Sequence, residues 1–506
     1  MVQPCQSEIH VGRSWIPCAE GGPGVLSEAL SLVSSWAEGY ARSLGDRDVL
    51  DPSVGFGDVL GVLEEEPPLE GVSIEALGGL IEEADREFVS RLVHWQSPRF
   101  FAYFPCSSST AAIVGEVMSA VVNVNGMLWS TSPACTELEM RVMDWCARLH
   151  GIDDAFTFAR SGTGGGCIQG TASEGAVAAL CAARRRCTKR GMGRGDVCVY
   201  ASTQAHSSIV KAAMVCGLAD DSEDRSRVRL IGTGRDLRMD PGALRDAIRE
   251  DLENGLVPGM VVASVGTTST GAVDDLRAIM EVVESFGEEK PWVHVDAAWA
   301  GSACVVERYR GMMAGHERAD SICINPHKWL LTNFDCDLFW VRDRDALTDS
   351  MSITPAYLRD RASESGAVDY RDWHVPLGRR MRALKLWFVI RCFGAKGLEA
   401  HIERHVGLAR RVEDWVRDRA DLELVGERSL GLVCFRVKGE DGLSSALVDG
   451  VNTRGRVMIT HSRVPIGEGG EDRSIVRVSV GTPGVDGSAL EVLFEELGAV
   501  LSGLVG

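Results

Sequence analysis

The chain has 506 residues, of which 45% are apolar and 25% charged, and its formal net charge is −19. Such values describe an ordinary globular protein. The acidic balance argues against a nucleic-acid binder, which carries a basic surface or stripe, and no run nears the ~18 consecutive apolar residues of a membrane helix.

Fifteen cysteines are scattered without a Cys-x-x-Cys pair. That usage points to reduced thiols in a cytoplasmic protein and away from a disulfide framework or zinc site. The first twenty residues include Glu8, Arg13 and Glu20 and hold no continuous apolar core, so no signal peptide is expected. Residues 25–94 carry two helical patterns, Leu26, Leu30, Val33, Trp36 and then Leu77, Leu80, Ile81, Ala84, Phe88, with a break at Pro67-Pro68. Residues 97–105 are dense in aromatics between prolines and read as a loop packed on the core or as the apolar wall of a pocket.

From about 110 to 345, short β-branched runs alternate with helical patterns. The runs are Val197–Tyr200, Val228–Ile231, Met260–Val265, Trp292–Val295, Ile322–Ile324 and Asp337–Val341. Such alternation predicts an α/β layer with a mostly parallel sheet. Ligands of such sheets sit beyond the carboxyl ends of the strands. His206, Thr267, Thr268, Asp296, Asn325 and Lys328 follow the runs and are the residues to inspect. Residues 345–385 are polar and interrupted, long enough for a lid or binding loop. A helical pattern from Leu384 to Val406, strand-like runs Leu432–Val437 and Val476–Val480, and a closing helix from about Ser488 predict a smaller α+β unit. The expected division is a helical N-terminal segment (1–110), a large α/β domain (111–384) and a small C-terminal domain (385–506).

Lys328 lies between two apolar runs, in Asn325-Pro326-His327-Lys328-Trp329. Lysine is almost never fully buried unless paired. Two readings stay open on the residues alone: a side chain that extends its ammonium into water, or an amine held for Schiff-base chemistry. Gly162–Gly166, followed by Gly170-Thr171-Ala172-Ser173 and an Ala-rich helical pattern, could cradle a phosphate on backbone amides. It lacks the Gly-Lys-Ser/Thr of a Walker loop and the third glycine of a dinucleotide fingerprint. Asp296 could cap a turn or pair with a pyridine nitrogen and keep it protonated. His206 could be a core histidine or could lie over a flat ring. His401 and His405 stand four apart on a helix, but the His-Glu-x-x-His pattern is absent, and no metal site is expected.

Together these stretches resemble the pyridoxal-phosphate-dependent group II amino-acid decarboxylases, above all the aromatic L-amino-acid decarboxylase branch in its plant-type tyrosine and tryptophan decarboxylase form. The resemblance rests on Phe101-Ala102-Tyr103-Phe104-Pro105, residues 132–139, Gln169–Glu174, Gln204–Ser208, Gly266–Thr270, His294–Ala298 and Asn325–Trp329, in that order along the chain. It implies a fold-type I homodimer that uses pyridoxal 5′-phosphate. It makes Lys328 the Schiff-base lysine, Asp296 the partner of the pyridine nitrogen and His206 the ring-stacking residue. Ala172, Ser173, Thr268, Asn325 and His327 match positions around the cofactor. Trp95, Tyr103, Phe104, Pro105, Met127 and Gly378 match the substrate side, and Tyr357 matches a loop tyrosine that returns a proton to Cα. Trp299 and Met127 depart from the usual residues at their positions. The implied reaction is decarboxylation of tryptophan, 5-hydroxytryptophan, tyrosine or dopa to the arylalkylamine. The rival is an aldehyde synthase, which commonly carries Phe in place of the loop tyrosine.

Overall fold

A computed structural model describes residues 25–72, 76–191, 193–353, 366–467 and 470–504. Its centre is a seven-stranded sheet in the order β1-β7-β6-β5-β4-β2-β3. The strands are β1 Gly165–Gln169, β2 Val197–Ser202, β3 Val228–Ile231, β4 Val257–Ser264, β5 Trp292–Asp296, β6 Ser321–Ile324 and β7 Asp337–Val341. β2 through β6 pair in parallel, and β7 runs antiparallel to both β6 and β1. The sheet is covered on both faces, which is why its strands read as continuous apolar runs and not as alternating ones. Successive residues of β4 show it: Val261 and Ala263 enter one core, Met260 and Val262 the other. The Ala-rich helix Ala172–Lys189 packs on the second face, its alanines allowing close approach to the strands.

A second sheet, in the order β10-β11-β9-β8, is antiparallel throughout. Its strands are β8 Leu422–Leu424, β9 Leu432–Val437, β10 Thr460–Pro465 and β11 Asp472–Ser479. It shares a core with the helices Gly442–Thr453 and Gly487–Leu504. The helix Ala383–Arg417 joins the two cores: Ala383, Leu386 and Val389 pack in the first, Ala409, Val412 and Val416 in the second. It kinks at Gly394, whose φ of 61° an L side chain tolerates poorly. Among the described residues no helix is long and apolar enough to cross a membrane.

The six strands expected from 197 to 341 are all present, and β1 is an addition. Its Gly165-Gly166 pair looks like a loop in the sequence because strands disfavour glycine. Here the glycines serve packing: a Cβ on Gly165 would stand 2.6 Å from the Phe158 ring, and one on Gly166 2.5 Å from Met143. The outer edge of β1 is satisfied by side chains. The Ile168 N–H donates to Glu139 (2.7 Å), the Ile168 carbonyl accepts from Arg379 (2.7 Å), and Glu139 and Arg379 form a fully buried ion pair. This clamp fixes where β1 delivers the chain into the turn Gly170-Thr171.

At the N-terminus, the helix Val25–Ser43 ties to Leu77–Glu87 through a Trp36 indole hydrogen bond to Asp85 (3.0 Å). Its Leu26, Leu30 and Val33 are exposed. The helix Thr110–Val122 likewise turns Ile113, Val114, Val117, Met118, Val121 and Val122 to solvent.

Candidate active site

Four parallel strands end at one place, and the next residues of each line a cavity of about 190 Å³. β6 ends at Ile324. Asn325 then caps a single helical turn, Pro326–Trp329, opened by a proline whose fixed φ suits that position. The turn carries Lys328 to the cavity, with Nζ 5.7 Å from the centroid of the Phe104 ring. The neighbouring Trp329 is buried, and its indole N–H donates to His405 Nδ1 (2.8 Å). Phe104, Trp299 and Trp329 stack in series, with centroids 4.2 and 5.3 Å apart. Lys328 is thus held by an aromatic wall that leaves its own amine free to face the cavity.

β5 ends at Asp296. Its Oδ1 accepts the N–H of Ala298 (3.1 Å), and the Cys323 thiol lies 3.7 Å from the same oxygen. It caps the turn and also lines the cavity. β2 leads to His206, whose Nδ1 accepts the backbone N–H of Ser208 (3.1 Å) and lies 2.8 Å from its Oγ. That bond places the proton of the neutral ring on Nε2. Desolvation, and then the Lys328 charge, hold His206 below the usual imidazole range against the pull of Asp296. β4 ends at Ser264 and passes through Gly266, at φ +90°, into Thr267 and Thr268. A Cβ on Gly266 would meet that of Ala300 at 2.5 Å, so both conformation and space require glycine there.

The fifth wall is the start of the helix Ala172–Lys189. Thr171 stands at its N-cap without a side-chain capping bond. Among the described residues the N–H groups of Ala172 and Ser173 have no acceptor. A helix start with free amides favours an anion. Next to it, burial and the Lys328 charge push His327 down to about 3, so its ring is neutral; its Nδ1 accepts the Cys336 N–H (2.9 Å). Among the described residues, Asn325 Oδ1 is buried without a partner. The site therefore offers an amine, a carboxylate, a neutral imidazole and an anion cradle around a narrow apolar slot.

Residues 65–438 match the family model of the pyridoxal-dependent decarboxylase conserved domain. The chain belongs to this decarboxylase family. It is 40% identical to phenylacetaldehyde synthase of Arabidopsis thaliana over 469 residues, spanning 90% of this chain and 92% of that one. It is 39% identical to tryptophan decarboxylase 2 of Oryza sativa subsp. japonica, with 90% of each covered. The crystal structure of Oryza sativa TDC with PLP and tryptamine superposes with a TM-score of 0.90 at 35% identity, covering 97% of this chain and all of that one. The fold is that of the pyridoxal-phosphate-dependent decarboxylases, and the cofactor is pyridoxal 5′-phosphate.

The cavity of this pyridoxal-dependent decarboxylase fits that group. The amides of Ala172 and Ser173 suit a phosphate, Asp296 suits a protonated ring nitrogen, and the slot between His206 and Phe104 has apolar walls. Ala172, Ser173, His206, Thr268, Asp296, Asn325, His327, Lys328 and Phe104 all line it. Trp95, Tyr103, Pro105, Met127 and Gly378 stand outside it in the single chain. Trp95 and Tyr103 stack on each other at 5.5 Å, Tyr103 half exposed. Pro105 packs beside Gly481, Met127 accepts the Arg371 N–H (3.0 Å) through its carbonyl, and Gly378 is exposed beside Asn125. Tyr357 lies outside the described residues.

Ser208, Ser264 and Phe334 also line the cavity and were not singled out from sequence. Ser264 closes β4, so the strand-end rule that found Asp296 extends to it. Ser208 follows His206 by two residues, the spacing of a side chain folded back on its own backbone. Phe334 sits in an irregular loop, 57% exposed, with no sequence pattern to mark it. The Gly162–Gly166 cluster, read as half of a phosphate cradle, lines no part of this cavity; only the Thr171-Ala172-Ser173 turn reaches it.

Proposed function

We propose that this protein decarboxylates an aromatic L-amino acid (tryptophan, 5-hydroxytryptophan, tyrosine or dopa) to the arylalkylamine and CO2. The observation that carries the reading is the convergence of Lys328, Asp296 and His206 on one slot walled by Phe104 and Trp299. When bound, pyridoxal phosphate supplies an aldehyde that condenses with amines and a ring that accepts the electron pair freed as CO2 departs. Lys328 would hold the aldehyde carbon through Nζ, and Asp296 the ring N–H through its carboxylate. Ala172, Ser173 and Thr268 would hold the phosphate, with Asn325 and His327 on the adjoining wall. His206, neutral with its proton on Nε2, would lie against the ring face. Phe104 and the buried Trp299 would shield the reacting carbon from water, which strengthens each charge interaction in the slot. Tyr357, on the polar stretch after Met351, would deliver the proton to Cα once the loop closes.

We further propose a cytoplasmic homodimer divided at about residues 110 and 384. In one chain the residues matched to the substrate side, Phe104 excepted, stand away from the slot, and Ile113, Val117, Val121 and Phe334 are exposed. An apolar surface of this extent marks an interface, and a second copy would bring a complete substrate side to each slot. The free thiols of the described cysteines suit a reducing compartment.

A second reading, an aldehyde synthase that couples decarboxylation to oxidative deamination with O2, is favoured by the 40% identity to phenylacetaldehyde synthase and opposed by Tyr357. Purified protein incubated with the four amino acids separates the two: amine with equimolar CO2 supports the decarboxylase, and aldehyde with ammonia and hydrogen peroxide supports the synthase.

A further inference from the structure

Away from the slot, two thiols meet. Cys181 lies midway along the helix Ala172–Lys189, and Cys216 caps the end of the helix Ser208–Val215. Their Sγ atoms are 3.8 Å apart, and both residues are partly exposed. Arg184 Nη1 donates to the Cys216 carbonyl (2.6 Å), which fixes a guanidinium beside the pair. Cys181 also opens on a surface cavity of about 230 Å³, lined with Arg184, Arg185, Thr188, Asp349 and Ser350. A small polar oxidant can therefore reach the Cys181 sulfur from the cavity, with the Cys216 sulfur in contact with it. Most other described cysteines, Cys146, Cys167 and Cys323 among them, are buried.

We propose that Cys181 and Cys216 form a peroxide-reactive dithiol that closes reversibly to a disulfide. Cys181 is the attacking group. The contact with the Cys216 sulfur and then the charge of Arg184 draw its thiol down to about 7, against desolvation, whereas the same contact and burial push that of Cys216 up, against Arg184. Thiolate fraction governs attack on a peroxide. The Cys181 sulfur attacks one peroxide oxygen, the O–O bond breaks, and water leaves once the departing oxygen takes up a proton. The resulting sulfenic acid is attacked by the Cys216 sulfur, the S–O bond breaks, and a second water leaves. In sum, two thiols and one hydroperoxide give a disulfide and two waters, or water and an alcohol from an alkyl hydroperoxide. The sulfurs lose two electrons and the peroxide gains them.

The position gives the bond a consequence. The helix Ala172–Lys189 begins with the free amides of Ala172 and Ser173, and the helix Ser208–Val215 begins next to His206. A disulfide would tie together two helices that each deliver one wall of the slot.

The test uses holoenzyme, hydrogen peroxide at a few molar equivalents, and peptide mapping without reductant. The expected result is a Cys181–Cys216 linked peptide that forms before exposed Cys392 is oxidised and is reversed by dithiothreitol. Cys216→Ser stops at a dimedone-trapped sulfenic acid on Cys181, and Cys181→Ser slows oxidation of Cys216 at least about tenfold. Oxidation raises the thermal midpoint of the parent protein and leaves that of Cys181→Ser unmoved. Oxidation of Cys392 with both Cys181 and Cys216 still alkylated as free thiols would overturn the proposal, as would a linked peptide whose formation leaves the midpoint unchanged.

Discussion

At the floor of the slot, Asp296 and Asn325 stand at the ends of buried strands and Lys328 on the proline-opened turn that follows β6. At the rim, Phe334 stands on an irregular segment with more than half of its surface in solvent, and Tyr103, Met127 and Gly378 lie outside the slot altogether. The difference is one of mechanical support. A strand end in a covered parallel sheet has its backbone determined by neighbours on both sides, so a reactive group there keeps its place. A loop residue is placed only by what packs over it, and in one chain little does. The floor is thus suited to chemistry shared across a family, and the rim to choosing a substrate and a product.

That contrast can be broken by substitution, floor first. Lys328→Ala should lower turnover by about 10⁴-fold or more, as removal of a covalent catalytic group does. It should also abolish the borohydride-reducible link to cofactor; a normal yield of reduced adduct in the variant would place the link elsewhere. Asp296→Asn keeps the capping geometry and removes the charge. It should retain bound cofactor by absorbance yet release amine about 10³-fold more slowly, the scale of a lost electrostatic contact in a closed site. A parental rate would leave Asp296 as a capping residue only.

Substitutions away from the floor should redirect more than they disable. Tyr357→Phe should slow proton return to Cα by about 10²-fold and shift product from amine toward aldehyde, ammonia and hydrogen peroxide. The amine-to-peroxide ratio of both proteins checks it, and an unchanged ratio would move the proton donor to another group, His206 first. Gly378→Ser should have the smallest effect. Among the described residues, a Cβ there has only Asn125 Nδ2 within 4 Å, at 3.8 Å, so the variant folds. Competition between tryptophan and tyrosine should move toward tyrosine by about tenfold, the scale of a small group added to a binding pocket. No movement would argue that Gly378 never meets a substrate, and with it against the dimeric slot.

The floor was legible in the sequence because its physics is local. Asp296, Asn325 and Lys328 each follow an apolar run closely, and the runs are unbroken because both faces of the sheet are buried. β1 was not legible: Gly165 and Gly166 are dictated by Phe158, Met143 and Trp340, which the fold brings into contact with them and no local pattern announces. β10, Thr460–Pro465, escaped for the opposite reason, since its Thr-His-Ser-Arg run alternates between half-buried and exposed positions and lacks an apolar signature. Phe334 was invisible because its role depends on three-dimensional neighbours, chiefly His327, 4.5 Å away ring to ring. Where strand ends place a group, the sequence is readable; where long-range packing places it, only coordinates are.

The central claim is that the turn after β6 presents Lys328 as the lysine that carries the cofactor. Borohydride reduction of the purified holoprotein, followed by proteolysis and mass mapping of the pyridoxyl-modified peptide, tests it without reference to substrate or product. The account predicts a single modified peptide containing Asn325-Pro326-His327-Lys328-Trp329, with the added mass on Lys328. A modified peptide centred on another lysine, such as the buried Lys385, would contradict it.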